Sequence, residues 1–310
     1  MNEPIKVWMG VCKHYGPSIH NVAEKYREYA PEERIEWVED WLDADLCIDH
    51  LIGTPDRLNL VHPGEREFSE DVKARLEMAK AVVLRVAYIM HCAIVNDKFY
   101  VEALDESVVS TGFLDIAKYI DDRDYRWLRV AWGVDPAEFL LPARSANPKY
   151  LIYTWGASAD PEEEYIKTIY NAVKRAGGKM LHSGLDYRFD SGEHYEFVPP
   201  ASSKAEIAQR YNQCWYANAM RKEDGFELAN IEAPLSNCLP ITLDRGCYKH
   251  FFEGTSAMVR EEILEDDLTE MFIAKGNVHP HWPSLKREIL ERFNWRDAVE
   301  PFWERILKSC

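Results

Sequence analysis

The sequence predicts an α/β protein built from two Rossmann-like domains. Short apolar, β-rich segments alternate with segments of helical period along the whole chain, which is typical of βα units around parallel sheets. A second series of such units begins after residues 142–148, a stretch with Pro, Ser and Asn that is typical of an interdomain linker. A chain of 310 residues is long enough for two such cores. We therefore expect one domain over residues 1–142 and a second over residues 149–310.

Each half contains a series of short predicted strands with helices between them. The first-half strands are Ile5–Val11, Arg34–Val38, Leu46–Leu51, Val82–Ala87, Ser107–Ser110 and Trp127–Ala131, and the helices include Ser18–Tyr29 and Ser69–Ala79. The second-half strands are Tyr150–Thr154, Lys179–His182, Tyr195–Val198, Cys214–Asn218 and Pro240–Leu243, with helices at Pro161–Ala176, Lys204–Asn212 and Glu227–Ser236. The pattern predicts two sheets of similar size.

The last segment of the chain has apolar residues at helical spacing on both sides of Asn294. They are Leu285, Ile289 and Phe293 before it, and Val299, Phe302 and Ile306 after it. The spacing predicts two C-terminal helices with a break near Asn294. We expect these C-terminal helices to pack back on the N-terminal domain as well as on their own.

Composition and charge exclude several classes of protein. The longest apolar stretch, Ala81–Val95, is too short to cross a bilayer and is interrupted by Arg85 and His91, so we expect no integral membrane span. The first residues lack the layout of a secretory signal, and the seven cysteines show no C-x-x-C pair, which together favour a cytoplasmic protein with buried thiols. The formal net charge of −16 disfavours non-specific binding to nucleic acid or anionic lipid.

Ligands of doubly wound sheets bind beyond the carboxyl ends of the strands, where two loops of the first half are candidates. Residues 13–18 place Gly16 at a helix start, where backbone N–H groups could approach an anion. The alternative is a plain tight turn, which the sequence of this loop, taken by itself, favours. Residues 132–139 contain Asp135-Pro136, which we expect to cap a short helical turn with a structural role.

A third loop, in the second half, carries the chemistry. It begins Asp224-Gly225-Phe226-Glu227-Leu228, and a second acid, Glu232, follows eight positions after the first. Free N–H groups at the start of the helix would face a diphosphate, because the helix dipole favours anions there. The two carboxylates could then accept hydrogen bonds from sugar hydroxyls. The alternative is a surface helix with incidental acids.

This segment resembles the E-x7-E signature of glycosyltransferase family 4. The family has an acid, Gly-Phe-Gly-Leu, then Glu-Ala and Gly-x-Pro, and the chain has Asp224-Gly-Phe-Glu-Leu228, Glu232-Ala233 and Asn237-Cys-Leu-Pro240 in the same order, with the two acids at the same spacing. Residues 132–139 resemble the motif that ends the family's N-terminal domain, and residues 293–296 resemble its late helix start. The resemblance implies a GT-B fold, with two Rossmann-like domains facing each other across a cleft, and retaining sugar transfer from a nucleoside diphosphate sugar.

The resemblance also implies roles for particular residues. Glu232 would bind the ribose hydroxyls of a donor that we expect to be UDP-linked, and Asp224 would contact the donor sugar near the reacting carbon. Gly225, Phe226, Glu227 and Leu228 would form the loop whose backbone N–H groups contact the diphosphate or sugar. The family often has a histidine after a central strand of the N-terminal domain, and His91 is the candidate for it. A buried histidine of the core is the alternative.

The chain departs from the family where the diphosphate would bind. The family has a Gly-Arg and a Lys-Gly after the first strand of the C-terminal domain, but residues 154–164 contain no cation. Arg221 and Lys222, just ahead of the signature, are the nearest substitutes by sequence, and Arg245, Lys249 and Lys13 are others. One charge-assisted contact to phosphate contributes about 1.5–3 kcal/mol, so two losses without replacement would weaken binding severely.

The sequence favours a retaining glycosyltransferase with an N-terminal acceptor-side domain, a C-terminal donor domain and no obligatory metal ion or cofactor beyond the nucleotide sugar. The acceptor stays open between a small molecule, a glycan, a lipid-linked compound and modified DNA. One alternative is a phage-type enzyme acting on hydroxymethylated pyrimidines in DNA. Others are a non-catalytic nucleotide-sugar-binding GT-B protein and a GT-B epimerase.

Overall fold

A computed structural model describes residues 3–51, 63–81, 84–91, 108–111, 127–129, 132–143, 145, 147–156, 163–184, 189, 192–220, 226–274 and 281–308. The chain forms two compact units. The first comprises Met1–Trp132, Glu223–Phe226 and Trp295–Cys310, and the second comprises Gly133–Lys222 and Glu227–Asn294.

The described residues form twelve strands and ten α-helices. The strands are β1 (Ile5–Val11), β2 (Ile35–Trp37), β3 (Leu46–Leu51), β4 (Arg85–Met90), β5 (Val108–Thr111), β6 (Trp127–Arg129), β7 (Tyr150–Gly156), β8 (Met180–Gly184), β9 (Tyr195–Val198), β10 (Cys214–Asn218), β11 (Leu239–Leu243) and β12 (Ala257–Val259). The helices are α1 (Pro17–Glu28), α2 (Pro63–Lys80), α3 (Pro136–Phe139), α4 (Glu163–Arg175), α5 (Lys204–Asn212), α6 (Ala229–Leu235), α7 (Gly246–Phe252), α8 (Leu264–Ile273), α9 (Trp282–Arg292) and α10 (Trp295–Lys308).

Both units are built around a parallel six-stranded sheet, which confirms the predicted fold class. The strand order of the first sheet is β2-β1-β3-β4-β5-β6, and that of the second is β12-β11-β10-β7-β8-β9. The second is the Rossmann order, with β7 as its first strand. The order reverses between β1 and β3 in the first sheet and between β7 and β10 in the second, and ligands bind at such reversals.

Most strand and helix predictions agree with the structure to within a few residues, and the exceptions have identifiable causes. The strand predicted at Val82–Ala87 is β4, three residues later, because Ala81 still donates its N–H to Glu77 in the last turn of α2. Helix α2 begins at Pro63 rather than Ser69, as proline favours the first turn. The prediction missed β12, α7 and α8. Strand β12 has only three residues, too few to show a period.

The two C-terminal helices break where the apolar spacing predicted, at Phe293-Asn294, but they belong to different units. Helix α10 packs on the N-terminal residues: the Phe302 ring lies 5.0 Å from that of Tyr26, and Nε1 of Trp303 donates to the carbonyl of Tyr26 at 2.9 Å. Helix α9 belongs to the second unit, where Lys286 donates to the carbonyl of Leu141. Helix α10 is therefore part of the first unit, whereas α9 is part of the second.

Asp49 and Arg75 form an ion pair inside the first unit. Both side chains are fully buried, and the guanidinium donates from Nε at 3.0 Å and from Nη2 at 2.5 Å to the two carboxylate oxygens. The indole of Trp8 covers the guanidinium at 4.3 Å. Gly10 makes room for this arrangement, because a Cβ there would lie 2.2 Å from the Trp8 ring and 2.8 Å from Oδ1 of Asp49. The pair therefore ties α2 to β3 beside the end of β1.

Among the described residues, no helix is both long enough and apolar enough to cross a membrane. Cys12, Cys47, Cys214 and Cys238 are buried thiols.

We predict that Arg75→Met destabilises the first unit by about 3–5 kcal/mol, because it leaves the Asp49 carboxylate buried without its partner. Hydrogen exchange of strand β3 measures the effect. Arg66→Met is the matched control, since Arg66 pairs with Glu70 at 3.2 Å on the surface, where a bridge contributes at most about 1 kcal/mol. Equal protection of β3 in the two variants would contradict a central role for the buried pair.

Candidate functional site

The predicted acid Glu232 lies on α6, the helix that follows strand β10 at the reversal of the second sheet. The amide of Glu232 donates to the carbonyl of Leu228 at 2.9 Å, so the helical turn starts directly after the Phe226-Glu227 pair. Leu228 occupies the N-cap position, and no side chain caps this end of the helix. Glu232 therefore lies in regular helix, one turn after Leu228, the last residue of the signature loop.

The environment of Glu232 favours its protonated form. Its side chain is half-buried and accepts a hydrogen bond at 3.4 Å from the hydroxyl of Tyr211 on α5. Burial, together with the charge of Glu227, raises the pKa of Glu232 to about 8, against smaller opposing effects of Lys204 and Tyr211. At pH 7 most of the molecules thus carry a neutral carboxyl group here, which can donate as well as accept a hydrogen bond.

Lys204 is a cation of this site that the sequence argument did not identify. It is the first residue of α5, and its Nζ lies 2.6 Å from Oε2 of Glu138 on α3. The helix start itself is well specified, because Ser203 caps α5 by accepting from the amide of Glu206. The helical period predicted this helix, but it could not show that the lysine would act on Glu232.

Asn237 occupies the position of the family's Gly in Gly-x-Pro, and it adopts the conformation that glycine favours. Its φ is 61°, in the left-handed region that asparagine tolerates better than most residues. The side-chain amide donates to the carbonyl of Leu141 at 3.3 Å, and the hydroxyl of Ser236 donates to that of Phe139 at 2.9 Å. This departure from the family pattern therefore preserves the turn after α6.

Strands β7 and β8 end in a close backbone approach at the same edge of the second sheet. Gly156 pairs with Gly184, whose φ is 102°, and a Cβ on Gly184 would lie 1.9 Å from the carbonyl oxygen of Gly156. Trp155, next to this contact, is 41% exposed. No cation lies on β7 or β8 at this end, so the described structure does not replace the family's Arg/Lys pair here.

Two of the substitute cations considered from the sequence are engaged by carboxylates. Nη1 of Arg245 lies 2.5 Å from Oε2 of Glu261, and Nζ of Lys249 lies 3.0 Å from Oδ1 of Asp244. Arg221, Lys222, Asp224 and Gly225 fall outside the described residues. Within the described ranges, no group of three or more His, Cys, Asp or Glu side chains could hold a metal ion.

In the first unit, His91 is the first residue after β4 and is buried. Its Nε2 lies 2.9 Å from Nδ1 of His50 on β3, and the two rings stack with centroids 5.2 Å apart. His91 is also next to an aromatic ring, that of Trp132. The Trp132 ring lies 5.2 Å from the His91 ring and 5.7 Å from the Phe226 ring. Burial lowers the pKa of His91 to about 3, so the imidazole is neutral at pH 7.

The first unit thus brings two of the predicted site residues, His91 and Phe226, into contact with one ring, that of Trp132. Trp132 was not among the predicted site residues, although it opens the loop of residues 132–139, to which the sequence assigned a structural role. The cap predicted in that motif is confirmed, because Asp135 Oδ1 accepts from the amide of Ala137 at 3.0 Å. His50 was missed as well, since nothing local in strand β3 indicates its partner.

The loop around Gly16 has the geometry of a tight turn. The amide of Tyr15 donates to the carbonyl of Cys12 at 3.0 Å, and Gly16 is the N-cap of α1 with φ −64° and ψ 159°. A Cβ on Gly16 would meet nothing closer than Oγ of Ser18 at 4.0 Å. Neither its backbone conformation nor its surroundings require glycine, and an anion-binding role for Gly16 stays a prediction.

The chain matches known proteins by fold but not by sequence. No family model and no curated protein matches the chain. By fold, sucrose-phosphate synthase from Thermosynechococcus elongatus matches with a TM-score of 0.68 at 11% identity, with 99% of this chain and 100% of that chain covered. The lipopolysaccharide outer core galactosyltransferase WaaB, in its apo form, matches with 0.66 at 12% identity over 99% and 100%.

A third solved structure, the pneumococcal O-GlcNAc transferase GtfA in complex with UDP and GlcNAc, matches with a TM-score of 0.56 at 14% identity and covers 85% of this chain and 56% of that one. At such identities the likeness shows the fold: the chain has the two Rossmann-like domains of GT-B proteins.

We predict that the pH dependence of stability in the second unit carries the signature of Glu232. A folded-state pKa of about 8, above the ordinary 4.5, means that the folded state holds the proton more tightly. The stability from this group is therefore full below about pH 4.5 and is lost as the pH rises through 8. Glu232→Gln should remove this loss and raise the unfolding free energy at pH 9, by at most about 5 kcal/mol for the full shift and by less because solvent screens the half-buried group.

Urea unfolding at pH 5 and pH 9 measures the difference, and Glu270→Gln, on the exposed face of α8, is the control. A pH dependence that is the same in both variants would show that the Glu232 carboxyl is solvated in the folded state.

Proposed function

We propose that this protein is a retaining glycosyltransferase that moves a sugar, of the hexosyl type, from a nucleoside diphosphate donor to an acceptor. The donor is UDP-linked in this proposal. The observation that carries it is Glu232: an E-x7-E signature in sequence coincides with a half-buried carboxyl on the helix after the fourth strand of a Rossmann-ordered sheet. Nucleotides bind at this reversal of strand order in Rossmann folds.

The second unit acts as the donor domain. The ribose lies against Glu232, whose carboxyl group can accept from one hydroxyl and, when protonated, donate to the other. The hydroxyl of Tyr211, whose pKa burial holds well above its usual range, stays protonated and keeps donating to the same carboxyl. The E-x7-E resemblance and the UDP in the solved GtfA structure, which shares the fold, both support a uridine nucleotide.

The chemistry takes place next to the signature loop. Asp224 contacts the donor sugar near the reacting carbon, and the backbone N–H groups of Gly225, Phe226, Glu227 and Leu228 receive the diphosphate or sugar. Preorganised donors of this kind stabilise the charge that develops on the departing diphosphate. The donor's own phosphate oxygen takes the proton of the acceptor hydroxyl, so the protein supplies orientation and exclusion of water rather than a strong base.

Arg221 and Lys222 neutralise the diphosphate in this proposal, in place of the family's Arg/Lys pair. They closely precede Asp224 in sequence, whereas Arg245 and Lys249 are held by Glu261 and Asp244. Lys204 lies close to Glu232, but it too is paired with a carboxylate, that of Glu138. A diphosphate in a protein of net charge −16 needs such local cations, because the overall field opposes it.

The acceptor belongs with the first unit and is a small molecule, a glycan or a lipid-linked compound. Mass spectrometry of the protein incubated with UDP-, GDP- and ADP-sugars, without an acceptor, tests catalysis directly, since working sites release some sugar to water. Proton NMR of the first-formed anomer tests retention of configuration. Absence of hydrolysis with all donors, together with tight UDP binding, would instead favour the non-catalytic alternative.

We predict that Glu232→Ala weakens binding of UDP and of uridine by the same factor, about 10-fold or more, because two ribose hydrogen bonds are lost in both. Isothermal titration calorimetry measures both affinities. Glu232→Gln should keep part of the affinity, and Glu270→Gln all of it. Unchanged UDP affinity in the alanine variant would remove Glu232 from the nucleotide site.

We predict a different pattern for the two cations. Arg221→Ala or Lys222→Ala should raise the dissociation constant of UDP by about 10-fold or more and leave that of uridine unchanged, because only UDP carries phosphates. Arg66→Ala, a surface charge of the first unit, is the control. Equal effects on both ligands, or none, would mean that the diphosphate is held elsewhere.

A further inference from the structure

The second unit has a surface pocket of about 270 Å³ that the proposed function does not use. It lies at the amino ends of β7, β8, β9 and β10, and the turn after α4 forms one of its walls. Gly178 belongs to that turn, and a Cβ there would lie 1.9 Å from Cδ1 of Leu151, so only glycine lets the turn pack against β7. Strand β7 has seven residues, which places the pocket about 20 Å along the sheet from the carboxyl edge. It is therefore separate from the donor site.

Two lysines of the pocket, Lys149 and Lys179, are held in place by one carboxylate, that of Glu196 on β9. Nζ of Lys149 donates to Oε2 of Glu196 at 3.1 Å, and Nζ of Lys179 donates to the same oxygen at 2.8 Å. The hydrogen bonds from Lys179 and from the hydroxyl of Tyr150 lower the pKa of Glu196 to about 2, so this carboxylate is charged at neutral pH. Each ammonium group has three N–H groups, so both lysines can donate to a ligand while they hold Glu196.

His194 and Glu193 supply hydrogen-bond acceptors to the same pocket. Nδ1 of His194 lies 2.8 Å from the carbonyl oxygen of Gly178. A carbonyl oxygen only accepts, so Nδ1 carries a proton, and Nε2 of the neutral imidazole is an acceptor. Nε2 lies 3.8 Å from the carboxylate of Glu193, whose side chain is 89% exposed. The pocket thus places two acceptors beside the two ammonium donors.

The charges around the pocket balance, which selects the chemistry of its ligand. A phosphate would meet the carboxylates of Glu193 and Glu196, and a cation would meet two ammonium groups. The lining is mainly polar, so an apolar ligand would leave its groups without hydrogen bonds. A hydroxyl group both donates and accepts, and it can bridge an ammonium group and an acceptor. An uncharged ligand with several hydroxyl groups therefore fits this lining.

We propose that this pocket is a saccharide-binding site that takes one sugar unit of a glycan. Lys149 and Lys179 donate to hydroxyl oxygens of the sugar, and Glu193 and Nε2 of His194 accept from its hydroxyl groups. Trp215, which also lines the pocket, supplies apolar surface for the C–H groups of the ring. The volume is below the about 300–1,000 Å³ of sites for drug-sized ligands, which suits a single sugar ring. The proposal goes beyond sugar transfer and does not depend on it.

Proton–nitrogen NMR spectra of deuterated, 15N-labelled protein can locate the binding. The probes are the methyl α-glycosides of glucose, galactose and mannose, together with N-acetylglucosamine. At least one of them should shift the indole N–H signal of Trp215 and the amide signals of Gly177 and Gly178, whereas UDP and inorganic phosphate should not. The Trp215 signal is assigned with Trp215→Phe. The proposal is wrong if no sugar shifts these signals, or if inorganic phosphate shifts them and the sugars do not.

Variants test which side chains hold the sugar. Lys179→Met should weaken binding of the sugar by about 10-fold or more, because a charge-assisted hydrogen bond is lost, and leave UDP affinity unchanged. Glu193→Gln should weaken it by about 3-fold or more, and its exposed position means that the fold does not depend on this carboxylate. Lys167→Met is the matched control, since Lys167 pairs with Glu163 at 2.5 Å on the surface of α4.

The same sugar affinity in Lys179→Met, Glu193→Gln and Lys167→Met would overturn the site. If the protein turns over no nucleotide sugar, the proposed function fails, while the NMR titration still decides whether this pocket binds a saccharide.

Discussion

The parallel arrangement of both sheets is the constraint on which every other feature of this molecule depends. Strands that all run in one direction bring all their carboxyl ends to one edge, and each connection must return across a face of the sheet. The order of strands in the two sheets then leaves one reversal each. This geometry determines where Glu232 and His91 lie. Each follows a strand, β10 in the second sheet and β4 in the first, whose carboxyl end lies at such an edge.

Burial gives the two candidate groups an unusual electrostatic state. Glu232, an acid, is held largely neutral, and His91, a base, is held neutral as well. The protein as a whole is strongly acidic, so a second carboxylate beside an incoming diphosphate would be unfavourable. If Glu232 binds the ribose as proposed, its neutral carboxyl group avoids this repulsion. Hydrogen bonding, rather than charge, therefore dominates at both positions, and the charge needed for the phosphates must come from separate residues.

The sequence predicted the architecture well because the signals for strands and helices are local. Strand β3 was predicted with its observed bounds although it contains Asp49 and His50. The other residues of the strand are apolar, and this signal is local. What the sequence could not predict are the partners of those two polar residues. Arg75 and His91 lie 26 and 41 positions further along, and nothing within the strand indicates that either contact forms.

In the candidate site, too, the sequence predicted the local features but not the contacts between distant residues. The spacing of Asp224 and Glu232 could be read from the chain, and so could the cap at Asp135. The state of Glu232 could not, because it depends on Glu227 and on two residues of α5, Lys204 and Tyr211, which lie far from it in sequence. Trp132 was not predicted as a site residue although its loop was identified. The loop sequence does not indicate which aromatic rings the Trp132 ring will contact.

The position of α10 sets the order in which the protein can finish folding. Tyr26 and Trp37, near the start of the chain, are covered by Phe302 and Trp303, which follow the whole second unit in sequence. During synthesis the second unit is therefore complete before the first can close its core. Until then, a growing chain displays an aromatic surface that a chaperone would recognise, and a nascent chain that stalls before residue 295 leaves that surface uncovered.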